Sequence, residues 1–207
     1  MVVDVQCDYL KADLGNMKTG DTEMGALEAT LRTIGSKIGP KCLTLIETTV
    51  APGTTEFVGW PILKKAFASR GIDSEPLLSH SFERVMPGRE YVSSIRDMWR
   101  VCSGCDAEAR ARVEKFLTEV LNTEDYPLTV MDRPIESETT KIVENSYRAA
   151  LLAFLNEWSL FSAEWCQQGG QPDDDHQRGR RGKGKGEFPP PRSQRPTVRF
   201  QDGDSES

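Results

Sequence analysis

The chain has 207 residues, with 26 Lys and Arg against 32 Asp and Glu, for a formal net charge of −6. Residues 167–207 take 8 of the basic and 7 of the acidic side chains, leaving 18 and 25 in residues 1–166, a net of −7. So acidic a body argues against nucleic-acid or anionic-membrane binding as its main role, and no apolar run approaches the roughly 18 residues of a spanning helix.

Composition also divides the chain. The last 41 residues hold 7 of the 17 Gly and 5 of the 12 Pro, with Val198 as their sole aliphatic side chain. Such a segment cannot bury enough apolar surface to offset its ordering entropy, so 167–207 reads as a disordered tail. At the other end, MVVDVQCDYLKADLG has neither the basic flank nor the apolar stretch of a signal peptide. The five cysteines are an odd number, which fits a reducing cytoplasm better than a disulfide scaffold.

The first predicted element is a short buried strand over 2–5, followed by polar linker residues. A helix is expected over 22–38, with Met24, Leu27, Leu31, Ile34 and Ile38 on one face, Asp21 as N-cap and Gly39-Pro40 as terminator. Residues 42–46 (CLTLI) read as a compact strand, Ala51-Pro52-Gly53 as a turn, and 56–69 as a helix closed by Gly71. Strands follow over 76–80 and 99–102, then a helix over 107–121 opened by Asp106 or Ser103, then a strand over 128–131. Strands alternating with helices predict β-α-β units and a parallel sheet.

After Asp132-Arg133-Pro134 the period changes. Residues 135–165 contain no Gly or Pro and carry an apolar stripe through Ile142, Tyr147, Leu151, Phe154, Trp158, Phe161 and Trp165. A helix of that length extends about 46 Å at 1.5 Å per residue. It is too long for one face of a small sheet and reads as a connection between domains or a dimerisation helix.

Two constellations suit chemistry. The first is the strand-end loop from Glu47 to Thr54, because ligands of open parallel sheets sit beyond the carboxyl ends of the strands. Its Thr48 and Thr49 hydroxyls and the following helix N-terminus suit a phosphate, a ribose or a substrate hydroxyl, or else serve only as turn and cap. The second lies on the long helix, where Lys141, Asn145 and Arg148 share a face at i, i+4 and i+7, with Glu138 one turn before. Such a face is either simply solvated or, through Lys and Asn one turn apart, able to stabilise an alkoxide or hold a water. Cys102-Ser-Gly-Cys105 has no second pair and no nearby His to complete a metal site, and no metal site is expected. His80 and His176 are the two histidines, which leaves little room for a His-based triad; His80 ends a strand and reads as packed. Neither GxGxxG nor GxxxxGK[ST] occurs.

Taken together, LTLIETTVAPGTTE (43–56), SHSFERVMPG (79–88) and IESETTKIVENSYRAALLAFLNE (135–157) resemble the UDP-glucose/GDP-mannose dehydrogenase family of nucleotide-sugar 6-dehydrogenases. The resemblance covers about 1–166 and is closest to the UDP-N-acetylmannosamine dehydrogenase branch. It implies an α/β fold: the second half of a Rossmann-like, NAD-binding domain (1–133), with a parallel sheet and flanking helices, then the start of a central dimerisation helix (134–166). It further implies Thr49 near the nicotinamide, positioning a catalytic water; Glu83 in acid/base work and substrate contact; and Lys141 with Asn145 stabilising the oxyanion formed as the sugar C6 is oxidised. The implied reaction takes the primary alcohol of a UDP-sugar to a carboxylate in two NAD-dependent steps, with a cysteine thiol carrying the intermediate.

The departures from the pattern are Phe82 in place of the family Pro, and the absence of both the glycine-rich NAD motif and the GGxC nucleophile segment. Cys166 lacks that glycine context. The resemblance therefore implies a partial enzyme, inactive on its own. The alternative is a non-catalytic interaction paralogue, dimerising through the long helix. A third reading, nucleic-acid binding through RGRRGKGKG, sits poorly with a tail that is near neutral overall.

Overall fold

The computed structural model describes residues 1–10, 21–85, 88 and 90–167, so the predicted disordered tail, apart from Gln167, lies outside the described residues. Among them, five strands form one sheet in the order β1 (Val2–Val3), β4 (Thr44–Ile46), β5 (Leu78–Ser81), β6 (Val101–Gly104) and β7 (Thr129–Met131). Strands β2 (Asp8–Leu10) and β3 (Asp21–Glu23) form a separate antiparallel pair. The helices are α1 (Gly25–Gly35), α2 (Trp60–Ser69), α3 (Tyr91–Arg96), α4 (Ala107–Val120) and α5 (Pro134–Gln167). Met1–Leu155 is one compact unit; a second begins at Asn156, and its described residues, 156–167, are helical.

Strand β4 shows why the sheet is covered on both faces. All three of its residues are buried, and successive side chains point to opposite sides. Ile46 joins Val3, Leu27, Leu31, Val50, Leu63 and Leu78 under α1 and α2. Leu45 joins Cys102, Val113, Leu117 and Leu121 under α4. Gly104 lets α4 lie that close, because a Cβ there would stand 2.3 Å from the Arg110 amide nitrogen.

Three expectations are corrected. Asp21 does not cap α1: it pairs with Leu10 in the hairpin, and the Gly25 amide is bonded instead by Glu23 Oε1 at 3.1 Å. The helix expected from residue 56 begins as a wide π-helical turn, Thr54–Gly59, with the Trp60 amide reaching back to the Thr55 carbonyl. Pro61 has no N–H to continue an ordinary α-helical ladder there, which favours the wider turn. The sheet, finally, is not parallel throughout. Strands β1, β4 and β5 run parallel, β6 pairs antiparallel with β5, and β7 is parallel to β6. The chain leaves β5 and re-enters at the same edge, where Ser81 Oγ donates to the Val101 carbonyl at 2.8 Å.

Other signals behave as the residues dictate. Helix α2 ends on Gly71 at φ 70°, with Gly71 N–H to Ala68 O and Ile72 N–H to Phe67 O, the paired bonds of a glycine-closed helix end. Asp106 Oδ1 accepts from the Ala109 amide at 2.7 Å and opens α4. Pro134 sits at the start of α5, and Glu136 reaches back to the Arg133 amide at 3.1 Å.

Candidate active site at the carboxyl edge of the sheet

The carboxyl ends of β4 and β5 each continue into a loop bearing a candidate residue: Thr49 after β4 and Glu83 after β5. Helix α5 meets both loops. Its first attachment is Ser137, whose Oγ lies 2.7 Å from His80 Nδ1 in β5 and 2.7 Å from Ser103 Oγ in β6. Ser137 Oγ is also within hydrogen-bond reach of the Pro134 carbonyl, at 2.9 Å. Next comes Glu138, fully buried, accepting from the Gly53 amide at 2.5 Å and the Thr55 amide at 2.8 Å. Burial pushes the Glu138 carboxyl above its usual range, while the amides of Thr55 and Gly53 pull the other way.

One turn further on, Lys141 Nζ donates to the Glu83 carbonyl at 2.9 Å. Burial pulls the Lys141 ammonium below the usual lysine range; the carboxylates of Glu83 and Glu144 oppose that shift and the guanidiniums of Arg148 and Arg84 add to it. An ammonium has three donors, and among the described residues one of them is seen to be used. The Glu83 carboxylate is steadied by the Val85 amide at 2.6 Å. Glu144 holds both Arg84, at 2.9 Å, and Arg148, at 3.0 Å.

The structure thus joins Glu83 to Lys141 directly. Thr49 is half-buried and is linked to them through the hold of Glu138 on Gly53 and Thr55, not by a contact of its own with Lys141 or Asn145. Asn145 is exposed, one turn beyond Lys141. Arg148 is committed to Glu144 and adds no free cation to the stripe.

Two supports escaped the sequence reading. Arg100 is 2% exposed and pairs with Glu47, the residue just before Thr48 and Thr49, and also approaches Ser81 Oγ at 3.5 Å. A charged residue inside an apolar strand run needs a buried partner, and a lone Glu at the end of CLTLI was the available signal. Ser137 was the other; nothing in helical spacing distinguishes it. Glu138, grouped by spacing with a solvated face, is instead inside.

The Cys102 thiol is pushed up to about 12 by burial and by Glu114, against the pull of Arg100, and burial raises Cys105 as well. Both shifts disfavour the thiolate form. The side chain of Cys166 lies outside the described residues.

A dinucleotide fits this edge only in part. Thr49 presents a hydroxyl beyond β4, but the amides of Gly53 and Thr55, the groups a phosphate would use, already carry the Glu138 carboxylate. The loop is therefore no pyrophosphate cradle.

His80 is fully buried and makes a pH signature. Burial lowers its pKa to about 4, helped by the Arg100 charge and opposed by the Thr48 carbonyl. With the folded value below the ordinary 6.5, the unfolded chain takes the proton first. His80 thus contributes stability above pH 6.5 that is lost as pH falls towards 4, about 3 kcal/mol in all. Urea unfolding of the intact chain against His80→Gln is expected to show this slope in the first and not the second; parallel curves contradict it.

No protein-family model matches the chain. Among curated proteins, it is 26% identical over 145 residues to UDP-N-acetyl-D-mannosamine dehydrogenase of Pyrococcus horikoshii, covering 70% of this chain and 33% of that protein. It is 30% identical over 151 residues to the enzyme of that name from Salmonella typhi, covering 70% and 34%. Among solved structures, NDP-N-acetyl-D-galactosaminuronic acid dehydrogenase from Methanosarcina mazei Go1 superposes with a TM-score of 0.60 at 27% identity, over 77% of this chain and 32% of that one. The chain spans about a third of the length of these relatives. In sequence and in fold, about 70% of it is similar to UDP-N-acetylmannosamine dehydrogenases and other nucleotide-sugar dehydrogenases.

Proposed function

We propose that this chain is the middle portion of an NAD-dependent nucleotide-sugar 6-dehydrogenase, acting on a UDP-sugar in polysaccharide precursor synthesis in the cytoplasm. The proposed division is 1–133 as the second half of the NAD domain, 134–166 as the start of the central helix and 167–207 as a tail. The observation that carries it is the meeting of Lys141 and Glu83, at 2.9 Å, beside a strand-end loop that Glu138 fixes to the same helix.

In this reading the Lys141 ammonium, with Asn145 one turn on, stabilises the alkoxide that develops on the sugar C6 oxygen. Glu83 accepts or returns the proton, and Thr49 orients a water. NAD, when bound, supplies the hydride acceptor. Its phosphates are not held by the 47–54 loop, and neither described thiol of the CxxC pair is suited to carry the intermediate, so turnover by this chain alone is not expected.

Weak sugar binding is expected all the same. Titrating UDP-N-acetylmannosamine and UDP-N-acetylglucosamine into the labelled chain, with NAD+ present, should shift NMR signals of Glu83, Lys141 and Asn145 first. Lys141→Met should weaken that binding about tenfold or more, the scale of a lost hydrogen bond to a charged group. Equal affinity in the variant, or shifts confined to other faces, contradicts the assignment.

A second reading, an interaction paralogue that dimerises, is favoured by one feature of α5. Val143, Tyr147, Leu151 and Leu152 are 62%, 72%, 46% and 55% exposed on the part of the helix belonging to the first unit. Burial of such side chains is worth about 1.5–3 kcal/mol each. A second copy of this chain is the proposed partner. Sedimentation velocity is expected to show a dimer that Leu151→Glu with Leu152→Glu converts to monomer; a monomer in both counts against it. No helix among the described residues is long and apolar enough to cross a membrane.

A further inference from the structure

Phe82 stands where the resembled pattern has proline, and its side chain is fully buried. Two cations stand near its ring: Lys141 Nζ is 5.1 Å from the ring centroid and Arg84 Cζ is 5.9 Å from it. The His80 ring is a tilted neighbour at 6.5 Å. Proline at this position would offer Lys141 no π face.

We propose that Phe82 is a positioning residue: its ring face holds Lys141 as a charged ammonium, aimed at the Glu83 carbonyl, in surroundings that otherwise disfavour charge. The proposal deepens the reading of Lys141 as the cation of the site and rests on it for its functional meaning. Its physical basis stands separately. An ammonium within about 6 Å of a ring centroid is drawn to the negative face, most strongly where water is excluded. Lys141 is 8% exposed and Phe82 is 0% exposed, so water is largely excluded here.

The charges facing Lys141 come from two elements. Glu83 and Arg84 come from the segment after β5, and Glu144 and Arg148 from α5 itself. The two carboxylates favour the ammonium, the two guanidiniums oppose it, and both guanidiniums are bound to Glu144. With these contributions opposed, the ring supplies a stabilisation that the local ion pairs do not. The consequence is chemical: Lys141 serves as a standing charged donor to an oxyanion, not as a base that must first lose its proton.

The test replaces Phe82, by site-specific incorporation, with mono-, di- and trifluorophenylalanine. Fluorination drains negative charge from the ring face while nearly preserving its shape, so packing is retained. The Lys141 titration is followed in the full chain by NMR of carbon-labelled lysine, assigned with Lys141→Arg. The proton affinity of Lys141 is expected to fall stepwise with fluorine number, by about five-fold in total, the equivalent of about 1 kcal/mol. The same series at Phe67, a buried ring whose cationic neighbour is Arg70, should leave Lys141 unmoved. A flat or rising series at Phe82, or an equal fall from Phe67, overturns the proposal. No sugar or dinucleotide enters the measurement, so its failure and a failure of sugar binding are separate results.

Discussion

A buried carboxylate cannot be left without partners, and Glu138 finds its partners in the backbone of a distant loop. The Gly53 and Thr55 amides are two donors that the start of a helical turn leaves open, and Glu138 lies 85 and 83 residues away from them. Satisfying both sides at once fixes the loop after β4 against the first turns of α5. Gly53 reaches this geometry at φ 92°, in the left-handed region that glycine adopts without cost. Everything proposed for the edge follows from that closure. It ties the loop that follows Thr49 to the helix that carries Lys141 and Asn145, and it occupies the amides that a phosphate would need.

Other polar ties reinforce it from below. Ser137 meets His80 and Ser103, Arg133 pairs with Glu56 at 2.6 Å, and Arg100 links the ends of β4 and β5 through Glu47 and Ser81. All join elements far apart in sequence, and all but the Arg133–Glu56 pair, whose guanidinium is exposed, are buried or half-buried. Contacts of this kind specify one arrangement because a shifted helix would leave several of them unpaired. Under the proposed function such rigidity has a use, because a donor to a transient oxyanion must stand in place beforehand.

How far this was legible in the residues follows from the range of each signal. Helices α1, α2 and α4, strand β4 and the long α5 rest on local periodicity, and the expected elements formed within a few residues. The hairpin of Asp8–Leu10 with Asp21–Glu23 rests on pairing between polar strands, which leaves no periodic trace. The reversal of β6 depends on where a loop re-enters the sheet, and the short α3 within that loop was not foreseen. Of the candidate residues, Lys141 and Asn145 were singled out by spacing and resemblance, Thr49 by its strand-end loop and resemblance, and Glu83 by resemblance alone. The buried partners of Glu138 and Arg100 were not, because a charge looks the same in sequence whether water or an amide faces it. Phe82 was visible only as a departure; its nearness to Lys141 and Arg84 depends on the fold.

The claim that one carboxylate closes the site is tested most directly by amide hydrogen exchange at Gly53 and Thr55. With Glu138 in place, both amides should exchange slowly, like the buried strand β4 beside them. In Glu138→Gln, which offers one acceptor oxygen where the carboxylate offers two, exchange at one or both should quicken about tenfold or more while β4 keeps its protection. Fast exchange at both amides in the unaltered chain, or protection indifferent to the substitution, would contradict the account.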